Sequence, residues 1–190
     1  MNMTTLDCSY CPRITEIPQL NLLTHLYCTD CPLLTKIPQL NYLTHLYCND
    51  CPSLINIPQL NLLAVLHCYN CPLLYLPQLK KLRVLICSDC TSLTSIPQLD
   101  QLTKLDCRDC PLLNTLPQLN LLNILCCSNC PLLYIPYKLR QEFQIKPNFM
   151  INKIRYQQLK TKKRYRSMVG SIILDNTSFY DVLVGIITNY

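Results

Sequence analysis

Hydrophobic residues recur along the first two thirds of the chain with a fixed spacing that is neither a helix nor a long strand. One unit reads Leu23-x-x-Leu26-x-Cys28-x-x-Cys31-x-x-Leu34-x-x-Ile37-Pro38-x-Leu40, and polar or aromatic residues fill the gaps. The first cysteine of each unit falls at Cys8, Cys28, Cys48, Cys68, Cys87, Cys107 and Cys127, a spacing of 20, 20, 20, 19, 20 and 20. An "IPQL" or "LPQL" stretch follows the two cysteines in six of these seven units, and the seventh ends in "YIPYKL". Self-similarity at such a period is the mark of stacked supersecondary units.

Within a unit, alternation is confined to a short segment. Leu26 and Cys28 share one face of an extended backbone and Tyr27 takes the other, so each unit predicts a strand of about three to five residues. No room remains for a full helix on the return. The prolines at the "IP" and "CP" positions predict extended, polyproline-like or 3₁₀ backbone there. One unit cannot bury its own Leu and Ile set; neighbours stacked about 4.8 Å apart make a continuous core. Glycine is absent from the units, its two copies being Gly170 and Gly185, so Asn and Asp must supply the turns.

The pattern resembles the leucine-rich repeat family, in a short form of about 20 residues. The resemblance covers residues 3–136 and departs from the family in placing Cys where the third Leu sits. It implies a solenoid arc of short parallel β-strands with an irregular convex side and a concave binding face, and it divides the chain into a repeat domain (1–136) and a C-terminal segment (137–190).

The fifteen cysteines raise the question of metal or disulfide chemistry. Sixteen residues separate Cys11 from Cys28, which fits a four-cysteine zinc template. Seven pairs, however, leave one over, and the repeat gives each cysteine its own place: Cys28 as a small inward hydrophobe, Cys31 in a ladder meeting the backbone of the turn. A structural role is the favoured reading, with a zinc-stabilised Cys-repeat protein as an alternative. No cofactor is predicted. Cys126 is expected to face outward. The acidic column Asp30, Asp50, Asn70, Asp89, Asp109 and Asn129 reads as turn-capping.

Outward strand positions supply the candidate partner-binding residues: His25, Tyr27, His45, Tyr47, His67 and Tyr69 in units two to four, and a mixed-charge group of Lys104, Asp106 and Arg108 in unit six. Aromatic side chains are common anchors of protein interfaces.

Charge is unevenly distributed. Through Pro136 there are seven Lys/Arg against eight Asp/Glu, a net of −1; from Tyr137 onward there are ten against three, a net of +7. A helix is predicted over 149–169, as part of a C-terminal, mostly helical cap on the solenoid. It carries a basic cluster of Lys160, Lys162, Lys163, Arg164 and Arg166. Such a cluster also suits an adaptor to nucleic acid or an acidic membrane.

The sequence shows no secretory leader and no apolar run long enough to span a bilayer, so the expectation is a cytoplasmic protein with reduced thiols. The near-identical units and the Leu, Asn, Ile, Tyr and Lys bias resemble repeat proteins of giant DNA viruses and AT-rich protists, which would place it in a host cytoplasm. No phosphate-binding glycine loop appears. No Cys follows Cys130 and no His follows His67, so the ubiquitin-ligase chemistry that some bacterial effectors join to similar repeats has no nucleophile or base here. The expectation is a non-catalytic scaffold for an unidentified protein partner.

Overall fold

The structure, a computed structural model, describes residues 3–135. The expected helix and cap, the boundary at 136/137 and the basic residues Lys160 to Arg166 lie outside the described residues.

Residues 3–135 form a parallel β-solenoid. Seven three-residue strands follow one another: β1 (Thr5–Asp7), β2 (His25–Tyr27), β3 (His45–Tyr47), β4 (Val65–His67), β5 (Val84–Ile86), β6 (Lys104–Asp106) and β7 (Ile124–Cys126). They make one sheet in chain order, each strand parallel to its neighbours. Register is uniform, so Leu6, Leu26, Leu46, Leu66, Leu85, Leu105 and Leu125 lie side by side. The ladder runs on past each strand: the Cys28 amide donates to the Tyr47 carbonyl at 2.8 Å, and the Asp30 amide to that of Asn49 at 2.9 Å.

The chain then turns through a residue in the left-handed region. Asp30, Asp50, Asn70, Asp89, Asp109 and Asn129 have φ between 53° and 57°. Asn and Asp tolerate this conformation best among residues with a side chain, and they fill the place that glycine would otherwise take. In the first repeat Tyr10 stands there, at φ 60°.

Two tight corners complete each coil. In the second repeat the Leu34 amide donates to the Cys31 carbonyl at 3.1 Å and the Leu23 amide to the Leu20 carbonyl at 3.0 Å. The fourth repeat, one residue short, absorbs the loss at the first of these corners, where the Leu73 amide donates instead to the Cys71 carbonyl, two residues back, at 2.8 Å. The strand register of β4 with β5 is untouched, Val65 facing Val84.

The return side carries no strand or helix among the described residues and is punctuated by isolated bridges. Single parallel bridges join Glu16 to Lys36, Asn56 to Tyr75, Ser95 to Thr115 and Thr115 to Tyr134. Between these bridges and the next strand lies the Pro-Gln-Leu segment. Proline has no amide to donate, and here side chains take over. Gln19 Nε2 donates to the Gln39 carbonyl at 2.7 Å, Gln59 to Gln78 at 2.7 Å, Gln78 to Gln98 at 3.4 Å and Gln98 to Gln118 at 2.6 Å; Gln39 makes the same bond to Gln59.

All seven positions of the sequence register are buried: in the second repeat Leu23, Leu26, Cys28, Cys31 and Leu34 have no exposed surface, and Ile37 and Leu40 expose 5% and 1%. Each fully buried Leu contributes about 1.5–3 kcal/mol, and the stacked repeats merge these into one continuous core. The first repeat is the looser layer: Leu6, Cys8, Cys11, Ile14 and Leu20 are only partly buried.

Candidate functional site

The cysteines separate into two columns with different duties. The first column (Cys28, Cys48, Cys68, Cys87, Cys107) is buried core. The second donates its thiol to the carbonyl of the first cysteine one repeat earlier: Cys31 to Cys8 at 3.2 Å, Cys51 to Cys28 at 3.1 Å, Cys71 to Cys48 at 2.9 Å, Cys90 to Cys68 at 3.1 Å, Cys110 to Cys87 at 3.1 Å and Cys130 to Cys107 at 2.9 Å. All fifteen thiols are free.

Burial pushes these thiols up, Cys8 to about 11 and Cys110 and Cys127 to about 12. Cys71 and Cys130 are pulled the other way by thiol contacts, with Cys48 and Cys51 for Cys71 and with Cys107 for Cys130. A thiolate at either place would sit in an apolar stack with no cation beside it, so burial sets the direction and both remain thiols. Among the described residues, no three His, Cys, Asp or Glu side chains converge on a point that could hold a metal ion. Cys126 lies half-buried on the outer sheet face, opposite Asp106.

On that outer face the structure brings the aromatic candidates together as stacks. His25 and His45 lie 4.3 Å apart between ring centroids and 8° from parallel. Tyr27 and Tyr47 lie 4.8 Å apart and 7° from parallel. Tyr47 meets His67 edge to face at 4.7 Å. The spacing is the inter-strand distance of a sheet, and uniform register is what allows like rings to stack. Offset and edge-to-face pairs each contribute about 0.5–1.5 kcal/mol beyond their area. Tyr69 sits beyond the strand, its backbone amide held by Asn49 Oδ1 at 3.2 Å.

Two threonines that the sequence pattern did not single out orient the histidines. Thr24 Oγ1 lies 2.9 Å from His25 Nδ1 and donates to the Thr4 carbonyl at 2.9 Å. Thr44 Oγ1 lies 2.9 Å from His45 Nδ1 and donates to the Thr24 carbonyl at 3.0 Å. The visible signal was the Thr before each His in the duplicated "LTHLYC".

Four of these side chains, His45, His67, Tyr47 and Tyr69, resist charging. Burial first, and then His25, lowers the His45 pKa below its ordinary 6.5. Burial and Lys104 lower that of His67. Burial and Tyr27 raise the Tyr47 phenol, and the Asp50 carboxylate raises that of Tyr69. At neutral pH these four rings are therefore uncharged.

The mixed-charge group in repeat six is divided. Arg108 grips Asp106 with two bonds, Nε to Oδ1 at 2.9 Å and Nη2 to Oδ2 at 2.7 Å. Asp106 is buried, and its carboxylate raises the Arg108 pKa further. This carboxylate is committed internally, and Lys104 is the half-buried cation beside it. The aromatic stacks and the ion pair thus occupy different repeats of one sheet face.

No helix among the described residues is long and apolar enough to cross a membrane. No family model matches this chain, and no curated protein is similar to it in sequence.

Proposed function

We propose that this chain is a non-catalytic leucine-rich-repeat-like scaffold that binds a protein partner on the outer face of its seven-stranded sheet. The observation that carries the reading is the pre-stacked array of His25, His45, Tyr27, Tyr47 and His67. These rings are held by their neighbours before any partner arrives, so little side-chain entropy remains to be lost on binding. Tyrosines on a rigid support are efficient anchors. The thiols, the groups most suggestive of chemistry, are spent on core packing and on the backbone ladder.

Affinity capture with the whole chain tests this. Tyr47→Ala combined with His67→Ala is expected to abolish capture of the native partner, while deletion of 149–190 leaves it. Capture that survives the double substitution but is lost on deletion would transfer the function to the basic segment, and high salt would then weaken it strongly.

A further inference from the structure

The proton positions on the two stacked histidines follow from their threonines. A hydroxyl has one proton. Thr24 Oγ1 sends it to the Thr4 carbonyl, and Thr44 Oγ1 to the Thr24 carbonyl; without that proton two acceptors would face each other at about 2.9–3.0 Å and repel. Each hydroxyl therefore accepts from the adjacent ring, and Nδ1 of His25 and of His45 carries the hydrogen. In a neutral imidazole the other nitrogen is then a bare acceptor. Neither Nε2 has a hydrogen-bond partner among the described residues.

The surroundings have a matching sign. In the first three repeats, the sheet-side segments 4–10, 24–30 and 44–50 contain Asp7, Asp30 and Asp50 and no Lys or Arg. The corresponding segments of the other repeats hold Arg83, Lys104 and Arg108 against Asp89, Asp106 and Asp109, which balance. The two cations of the first three repeats, Arg13 and Lys36, lie outside these segments, and Lys36 pairs with Glu16 at 3.2 Å.

We propose that the His25–His45 stack is a hydrogen-bond-acceptor site that receives arginine or lysine side chains of a basic peptide segment, and that it is open only while both rings are neutral. The inference rests on the sheet-face reading above and specifies the partner's chemistry. Two parallel Nε2 lone pairs accept N–H groups, and the tyrosine stack beside them offers edges and hydroxyls. Asp7 beside Tyr27, with Asp30 and Asp50 at the turns of the same repeats, gives the sheet side of these repeats a net negative charge. Protonation turns each acceptor into a cationic donor and closes the site. The titratable and charged groups around the stack are Asp7 on β1, Tyr27 and Tyr47 on β2 and β3, and His67 on β4, itself near Lys104; Asp30 and Asp50 lie at the turns. Asp7 remains ionised in mild acid, because the Ser9 amide holds its carboxyl below the usual range, so it does not itself cause a loss of binding on mild acidification; comparison with a variant that lacks the two rings assigns that loss.

The probe is a hexa-arginine peptide, with hexa-glutamate as control, titrated against the full chain. Nitrogen-15 spectra at pH 8 are expected to show a bare Nε2 and a protonated Nδ1 on both rings. Hexa-arginine is expected to bind at pH 8, and His25→Val with His45→Val to weaken it about tenfold or more. Valine already occupies this column at Val65 and Val84, which favours a folded variant. Thr44→Val offers a second route: it keeps both rings, releases the tautomer of His45 and weakens binding. Lowering the pH to 5 should weaken the wild type and leave the double-valine variant unchanged.

A protonated Nε2 at pH 8, tighter binding of hexa-glutamate, or equal hexa-arginine binding by wild type and double-valine variant would overturn the proposal. If the peptide fails while Tyr47→Ala with His67→Ala still abolishes partner capture, the acceptor site alone falls. Partner capture that survives both sets of substitutions removes the sheet-face reading as well.

Discussion

The two sides of each coil solve the same problem with different groups. On the sheet side, backbone amides make the inter-repeat ladder, the second cysteine adds a thiol bond, and an Asp or Asn turns the chain away at positive φ. On the Pro-Gln-Leu side, proline removes a donor at each level and the glutamine amide reaches across to the next repeat's carbonyl. The sheet side is held chiefly by backbone groups that nearly every residue carries, the Pro-Gln-Leu segment by a chosen side chain. A substitution on the proline side can therefore remove a rung outright, whereas on the sheet side most substitutions leave the rungs in place and alter only what is displayed.

Breaking the sheet side at its buried rung should cost most. Cys51→Ala removes the bond to the Cys28 carbonyl and leaves a small void at a fully buried position. We expect a loss of about 1–3 kcal/mol in urea unfolding, with Cys51→Ser, which keeps a donor, less damaging than the alanine. An equal loss in both would mean that volume, rather than the bond, is what matters there.

The turn is next. Asp89 stands at φ 57°, where an alanine costs about 1–2 kcal/mol and a glycine little or nothing. Unfolding midpoints of Asp89→Ala and Asp89→Gly should separate by that amount, glycine the higher. Identical midpoints would show that backbone strain is not what selects Asp and Asn in this column.

The smallest effect belongs to the other side. Gln59→Ala removes the exposed bonds to the Gln78 carbonyl and to Asn61 Oδ1, a loss of about 0.5–1.5 kcal/mol. Amide exchange should quicken locally between the third and fourth repeats while the strand amides keep their protection. Faster exchange in the strands would mean that the two sides are not independent.

The core was legible in the sequence because it is written as volume and polarity. The positions from Leu23 to Leu40 announce themselves by recurrence, and each is buried. The turn was half legible: the scarcity of glycine pointed to Asn and Asp, and Tyr10 in the same place shows that the demand is on backbone shape rather than on one residue type. The glutamine ladder was not legible, since a recurring Gln outside the core carries no hydrophobic signal and its acceptor is a carbonyl of another repeat. On the candidate face, the outward positions of His25 through Tyr69 followed from alternation alone. Which rings touch did not, because stacking depends on zero slip between adjacent strands. Nor could sequence tell that Arg108 and Asp106, two residues apart on one face, would neutralise each other.

The shortened corner of the fourth repeat has a consequence for how such an array changes length. A residue is lost between Cys71 and Leu73, yet Val65 still faces Val84 and the rows of leucines continue unbroken. The corner acts as an expansion joint: it takes up a one-residue deletion and passes no misalignment to the display surface. Unequal recombination can thus add, remove or trim whole units while the rings already presented keep their partners.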